Sequence, residues 1–89
     1  MPQAKTIYFF HEEGCGVCAA AGAVLEKWSD SHPEVMVVWL DLTRHPWVKH
    51  GFDPRKTPAY LLEVDFKPSG KPVEGGLKAK ELDRFAGVV

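Results

Sequence analysis

The hydrophobic and polar positions of this chain fall into short runs of clearly different period. Thr6-Ile7-Tyr8-Phe9-Phe10 is β-branched, aromatic and almost wholly apolar, which predicts a strand. His11 to Gly14 is a polar turn. From Val17 to Ser31 the residues Val17, Cys18, Ala21, Val24, Leu25 and Trp28 recur at helical spacing, and Ser29-Asp30-Ser31 with His32-Pro33 ends that helix. Val35 to Leu40 is apolar at every position, the pattern of a strand covered on both faces. Asp41-Leu42-Thr43 leads into a segment around Pro46 to His50 that predicts a brief helix stopped by Gly51. Asp53 to Pro58 is a loop with two prolines, and Ala59 to Phe66 is a third strand. Lys67-Pro68-Ser69-Gly70 has the chemistry of a hairpin turn, Lys71 to Glu74 is a fourth strand, and Gly75-Gly76 breaks it. Lys78 to Phe85 closes the chain as an amphipathic helix with Leu82, Phe85 and Ala86 on its apolar side.

The order is β-α-β-α-β-β-α. Its first half is a parallel crossover unit, which is right-handed by rule, and its second half is an antiparallel hairpin followed by a helix. The economical arrangement is an α/β fold: a four-stranded mixed sheet with helices on both faces. The 89 residues amount to one domain, residues 1–89, with no linker, repeat or low-complexity tract. A net charge of −1 gives no electrostatic reason to expect nucleic acid or an anionic membrane as partner. No apolar run reaches the roughly 18 residues of a spanning helix. Met1 to Lys5 lacks an apolar leader, which favours a cytoplasmic location. A monomer is the expected state.

Chemistry enters with Cys15-Gly16-Val17-Cys18, which holds the only two cysteines of the chain. A loop this short restricts the unfolded chain far less than a long-range bridge, so the pair is a poor structural staple. In a cytosolic chain such a pair is catalytic or metal-binding. A zinc site would draw on Cys15, Cys18, His45 and His50, although the gap between the cysteine and histidine pairs is longer than in a finger. The placement between a strand and a helix favours redox work. A helix N-terminus carries roughly half a positive charge and unpaired N–H groups, which stabilise a thiolate at Cys15. Cys18, one turn further in, is expected to be more buried. Cys15 is then the attacking nucleophile, Cys18 the resolving thiol, and Gly16 keeps the approach to sulfur open.

Three features together resemble the thioredoxin superfamily across nearly the whole length. They are the C-x-x-C between the first strand and first helix, Thr57-Pro58 just before the third strand, and the stretch Val37 to Pro46, which is similar to the second strand of thioredoxins and the acidic turn after it. The resemblance implies a thioredoxin-like fold, a thiol–disulfide oxidoreductase without a bound cofactor, and a cis Pro58 facing the dithiol. It implies substrate contacts at Gly16, Val17, Thr57 and Pro58, with a peptide pairing to the Thr57 backbone like an added strand. The expected partners are a disulfide-containing protein and an electron donor, either a thioredoxin reductase or glutathione. The chain departs from thioredoxins at Gly14, Val17 and Phe9, where that family has Trp, Pro and a buried Asp. It departs from glutaredoxins at Leu77-Lys78, where an acidic residue usually follows the Gly-Gly pair. A glutathione-dependent reductase and a non-enzymatic partner-binding module are the alternatives.

Around the pair, His11 has the chemistry to shuttle a proton, or is a solvated strand-end residue. Glu12 and Glu13 oppose thiolate formation if their charges face Cys15, or are solvated turn charges. Arg55 and Lys56 attract an acidic substrate or belong to a plain exposed loop. Trp28 is expected in the core, while Trp39 and Trp47 fit either the core or a contact rim.

Overall fold

The computed structural model describes residues 4–44 and 56–88. Within them the elements are β1 (Lys5–His11), α1 (Gly16–Ser31), β2 (Val35–Asp41), β3 (Ala59–Val64), β4 (Lys67–Pro68), β5 (Val73–Glu74) and α2 (Ala79–Ala86). The brief helix expected around Pro46 to His50 lies outside the described residues.

β1 is the centre of the sheet. It pairs in parallel with β2, from Lys5 opposite Val35 to His11 opposite Asp41, and antiparallel with β3, from Lys5 opposite Val64 to Phe10 opposite Ala59. β4 and β5 both pair antiparallel with β3, at Val64–Lys67 and Tyr60–Val73 respectively. The sheet is thus mixed, with five strands rather than the four expected. Lys67-Pro68, read from sequence as turn, forms a short strand of its own, and the fourth strand expected from Lys71 starts only at Val73. The hairpin turn is Asp65-Phe66, both with positive φ (53° and 68°), which is the backbone of a two-residue hairpin loop. Neither residue is a glycine or asparagine, so the composition hid it. Two hydrogen bonds to Ala4, one from backbone and one to side chain, hold Asp65 in place: its N–H donates to the Ala4 carbonyl at 2.7 Å, and its Oδ1 accepts from the Ala4 N–H at 3.1 Å.

Side chains alternate across the strands with period two. Ile7, Phe9, Tyr60 and Leu62 face the helices, joined by Val35 from β2. Phe10, Ala59 and Leu61 face the opposite way, with Tyr8, Leu40 and Leu42 around them. α1 presents Ala21, Leu25 and Trp28 to the sheet, and α2 presents Leu82 and Ala86 to the same core. Both described helices therefore cover one face of the sheet. The expected helix for the other face falls on residues not described.

Polar contacts lock the helices to each other and to the sheet. Trp28 Nε1 donates to Asp83 Oδ1 at 2.8 Å, joining α1 to α2. His32 stacks on Trp28 with ring centroids 4.2 Å apart and places Nε2 at 3.5 Å from the same carboxylate. Lys5 Nζ donates to the carbonyls of Ala86 and Gly87 at 2.8 and 3.2 Å, a cation at the negative end of α2. Gly87 takes the left-handed conformation (φ 67°) that ends the helix.

Asp83→Ala leaves the indole N–H of the buried Trp28 without its acceptor. A loss of about 1–3 kcal/mol in urea-derived stability is expected. Phe66→Gly relieves a side chain held at positive φ while removing an exposed ring. It is expected to raise stability by on the order of 1 kcal/mol in the same measurement.

Candidate active site

The strand β1 delivers its last residue, His11, into a turn that bends through Gly14 (φ 80°), and Cys15 then caps α1. Glycine is needed here because the left-handed conformation is costly for a residue with a Cβ. The turn after β2 braces this approach. The His11 carbonyl accepts from the Leu42 N–H at 2.8 Å, and Thr43 Oγ1 accepts from the Glu13 N–H at 2.8 Å. Thr43 is itself set by its N–H donating to Asp41 Oδ1 at 2.9 Å. Desolvation would push the Asp41 carboxyl upward. Backbone N–H groups of Thr43 and Arg44, with His11 and Arg44 nearby, outweigh that and hold it below the ordinary aspartate value.

Cys15 and Cys18 are joined in a disulfide, with Cα atoms 5.1 Å apart. The two sulfurs are not equivalent. Cys15 is half-buried, and its Sγ accepts the Cys18 N–H at 3.1 Å as the helix N-cap. Cys18 is only 5% exposed. The first turn of α1 carries no acidic side chain, so nothing within it offsets the positive end of the helix. Gly16 is exposed, and Val17 is an exposed apolar residue beside the bridge.

Thr57 and Pro58 arrive from the other side. Their peptide bond is cis. The Thr57 carbonyl oxygen lies 3.7 Å from Cys15 Sγ, and Thr57 Oγ1 lies 3.9 Å from it. Pro58 is buried, and its carbonyl accepts from the Gly75 N–H at 2.7 Å. That bond brings the glycine pair against α1, where a Cβ on Gly76 would sit 3.5 Å from the Ala21 Cβ and 3.8 Å from Val17 Cγ1. The structure therefore gathers Cys15, Cys18, Gly16, Val17, Thr57 and Pro58 in one place.

Behind the disulfide runs a groove of about 460 Å³ lined by Cys15, Cys18, His11, Glu12, Glu26 and Trp39 among others. Its floor is aromatic. Phe9 is buried and sits with ring centroids 5.1 Å from both Trp39 and Tyr60 and 5.7 Å from His11. Trp39 is 43% exposed and forms a wall of the groove, not part of the core. Trp28 is in the core, as its helical position implied. Glu26 was not singled out from the sequence. The signal was present: Cys18, Gly22 and Glu26 are four apart and share one stripe of α1. Glu13 turns its backbone to Thr43, and Lys56 donates its N–H to Glu74 Oε2 at 3.0 Å. Trp47, Arg55, His45 and His50 lie outside the described residues. Among the described residues no cluster of three or more His, Cys, Asp or Glu side chains is placed to hold a metal.

A Cβ at Gly22 would meet the Trp39 ring at 3.5 Å and the Phe9 ring at 3.7 Å, both ordinary contacts. Gly22→Ala is therefore expected to stabilise by about 0.5–1 kcal/mol through reduced chain entropy in α1, read as a higher urea midpoint. A destabilised variant would mean that Trp39 has no room to yield.

No family model matches the sequence, and no curated protein matches it. Solved structures do match. Thioredoxin-2, a component of malaria parasite protein secretion machinery, superposes with a TM-score of 0.86 at 12% identity, over 100% of this chain and 86% of that one. Oxidised mitochondrial thioredoxin 3 from Saccharomyces cerevisiae gives 0.82 at 21% identity, over 96% and 78%. Fasciola hepatica thioredoxin gives 0.78 at 17% identity, over 96% and 80%. The chain has the thioredoxin fold, with the Cys15–Cys18 bridge at the start of α1.

Proposed function

We propose that this thioredoxin-fold chain is a protein-disulfide reductase in which Cys15 attacks and Cys18 resolves. The observation that carries the reading is the unequal exposure of two bridged sulfurs at the start of α1. Only the outer sulfur is open to a bulky substrate, and only the inner one is sheltered until a mixed disulfide forms beside it.

In the reduced protein, the Cys15 thiolate attacks one sulfur of a substrate disulfide. A new bond forms from Cys15 Sγ to that sulfur while the substrate S–S bond breaks, and the other substrate sulfur leaves as a thiolate that takes up a proton. Cys18, losing its proton, attacks Cys15 Sγ, and the second substrate sulfur leaves as a thiol. The substrate gains two electrons and the protein is left with the Cys15–Cys18 disulfide. The Cys18 N–H already points at Cys15 Sγ and favours negative charge there.

Substrate contacts are assigned to Gly16, Val17, Thr57 and Pro58. Val17 offers an exposed apolar surface next to the bridge, and the Thr57 carbonyl stands beside Cys15, where an extended peptide segment can pair with backbone. Recharging needs an external thiol donor, either a thioredoxin reductase or glutathione. Work as a monomer in the reducing cytoplasm fits a dithiol that must be returned to its reduced form. No described helix is long and apolar enough to cross a membrane.

Insulin-disulfide reduction with dithiothreitol as donor tests the reading. The wild type is expected to accelerate turbidity and Cys15→Ser to return it to the uncatalysed rate. Cys18→Ser is expected to trap a mixed disulfide visible by non-reducing electrophoresis. A wild-type rate equal to buffer would overturn the assignment. Supplying NADPH with thioredoxin reductase in one arm, and glutathione with its reductase in the other, identifies the donor.

A further inference from the structure

The Thr57 hydroxyl has one hydrogen and two neighbours competing for it. A carboxylate only accepts, so the 3.0 Å contact between Thr57 Oγ1 and Glu12 Oε1 is a hydrogen bond donated by the threonine. The same oxygen lies 3.9 Å from Cys15 Sγ. In the disulfide state the sulfur has little call on that hydrogen. Once the bridge opens, a thiolate at Cys15 needs donors, and two are within reach: the Cys18 N–H and the Thr57 hydroxyl. The first is fixed by the helix. The second is already held by Glu12. The Thr57 carbonyl, at 3.7 Å, is an acceptor and favours the neutral S–H form.

We propose that Glu12 is a positioning residue that withholds the Thr57 hydroxyl from the Cys15 thiolate and so keeps the Cys15–Cys18 couple strongly reducing. Opening the bridge takes two electrons and, when both sulfurs end as thiols, two protons. Leaving Cys15 as a thiolate saves one proton, and any donor that stabilises this form makes the reduced state easier to reach and the protein a weaker reductant. Glu12 acts against that twice: it occupies the donor and adds a negative charge beside the site. Other charged groups nearby are His11 and Glu26, which line the groove with Cys18, Lys56, which adjoins Thr57 in sequence, and Glu74, whose carboxylate accepts the Lys56 backbone N–H. Glu13 projects from the same turn. None of these is seen bonded to the Thr57 hydroxyl among the described residues.

This inference rests on the reductase reading, but its test needs no substrate. Cys15 is titrated in the reduced protein by thiolate absorbance near 240 nm, and the couple is equilibrated with glutathione buffers at pH 7. Glu12→Gln removes the charge and leaves only a weaker, neutral acceptor, so the Thr57 hydroxyl is free to turn to the charged thiolate. The variant is expected to lower the Cys15 midpoint by about one pH unit and to shift the glutathione equilibrium several-fold toward the dithiol. Thr57→Ser, which keeps the hydroxyl, is expected to titrate like the wild type. In a Thr57→Val background the effect of Glu12→Gln is expected to fall to under a third. Glu12→Ala serves in the same cycle if the glutamine variant does not fold. An unchanged midpoint and potential in Glu12→Gln would overturn the proposal. So would an equal shift in both Thr57 backgrounds, since the charge would then act without the hydroxyl. Loss of insulin reduction in the wild type, by contrast, would sink the reductase reading while leaving these titrations interpretable.

Discussion

The structure depends on β1 having no free edge and no free face. It is paired along one side to β2 and along the other to β3, while Ile7 and Phe9 are buried beneath the helices and Phe10 in the opposite cluster. A strand fixed in four directions leaves its C-terminal end nowhere to move. That end is His11, whose carbonyl is tied to Leu42, and four residues later stands Cys15. The position of the outer sulfur is thus inherited from the core, through a turn with one left-handed glycine and a brace from Thr43.

The surroundings of the inner sulfur are aromatic. Where the resemblance led to a buried aspartate, Phe9 packs between Trp39 and Tyr60. Acidic groups are instead at the periphery: Glu12 at the mouth of the groove and Glu26 further along α1. Carboxylates at a rim are solvated and screened, whereas one buried under the bridge would interact at low dielectric. Influence on the thiols therefore has to travel through specific hydrogen bonds more than through bulk field, and the Glu12–Thr57 contact is the one that reaches sulfur.

Much of this was legible in the sequence because it rests on periodicity. The four-residue and three-residue steps from Ala21 to Trp28 gave α1 to within one residue, and the apolar runs at Ile7 and Val35 gave two paired strands. Cys-x-x-Cys and Thr-Pro at element boundaries brought together a site from residues about forty apart. Turn chemistry was less reliable. Lys67-Pro68-Ser69-Gly70 has the better composition, but cross-strand register and the Ala4–Asp65 ties placed the bend at Asp65-Phe66, so tertiary pairing overrode local preference. The role of Trp39 was undecidable from a uniformly apolar strand, since only its packing against Phe9 and its exposure at the groove show that it forms a wall there. Glu26 was missed because a charged residue on a helix is ordinarily solvated.

The tie from Lys5 to the carbonyls of Ala86 and Gly87 spans 81 and 82 positions of the chain. The central strand is made well before the helix that completes its cover. The helix-facing side of β1 is left partly uncovered until Leu82 and Ala86 have been made. Stable folding of the domain therefore waits for α2, and a nascent chain stalled before Leu82 would present its sheet, and the unformed dithiol site at its end, to whatever holds unfinished proteins in the cell.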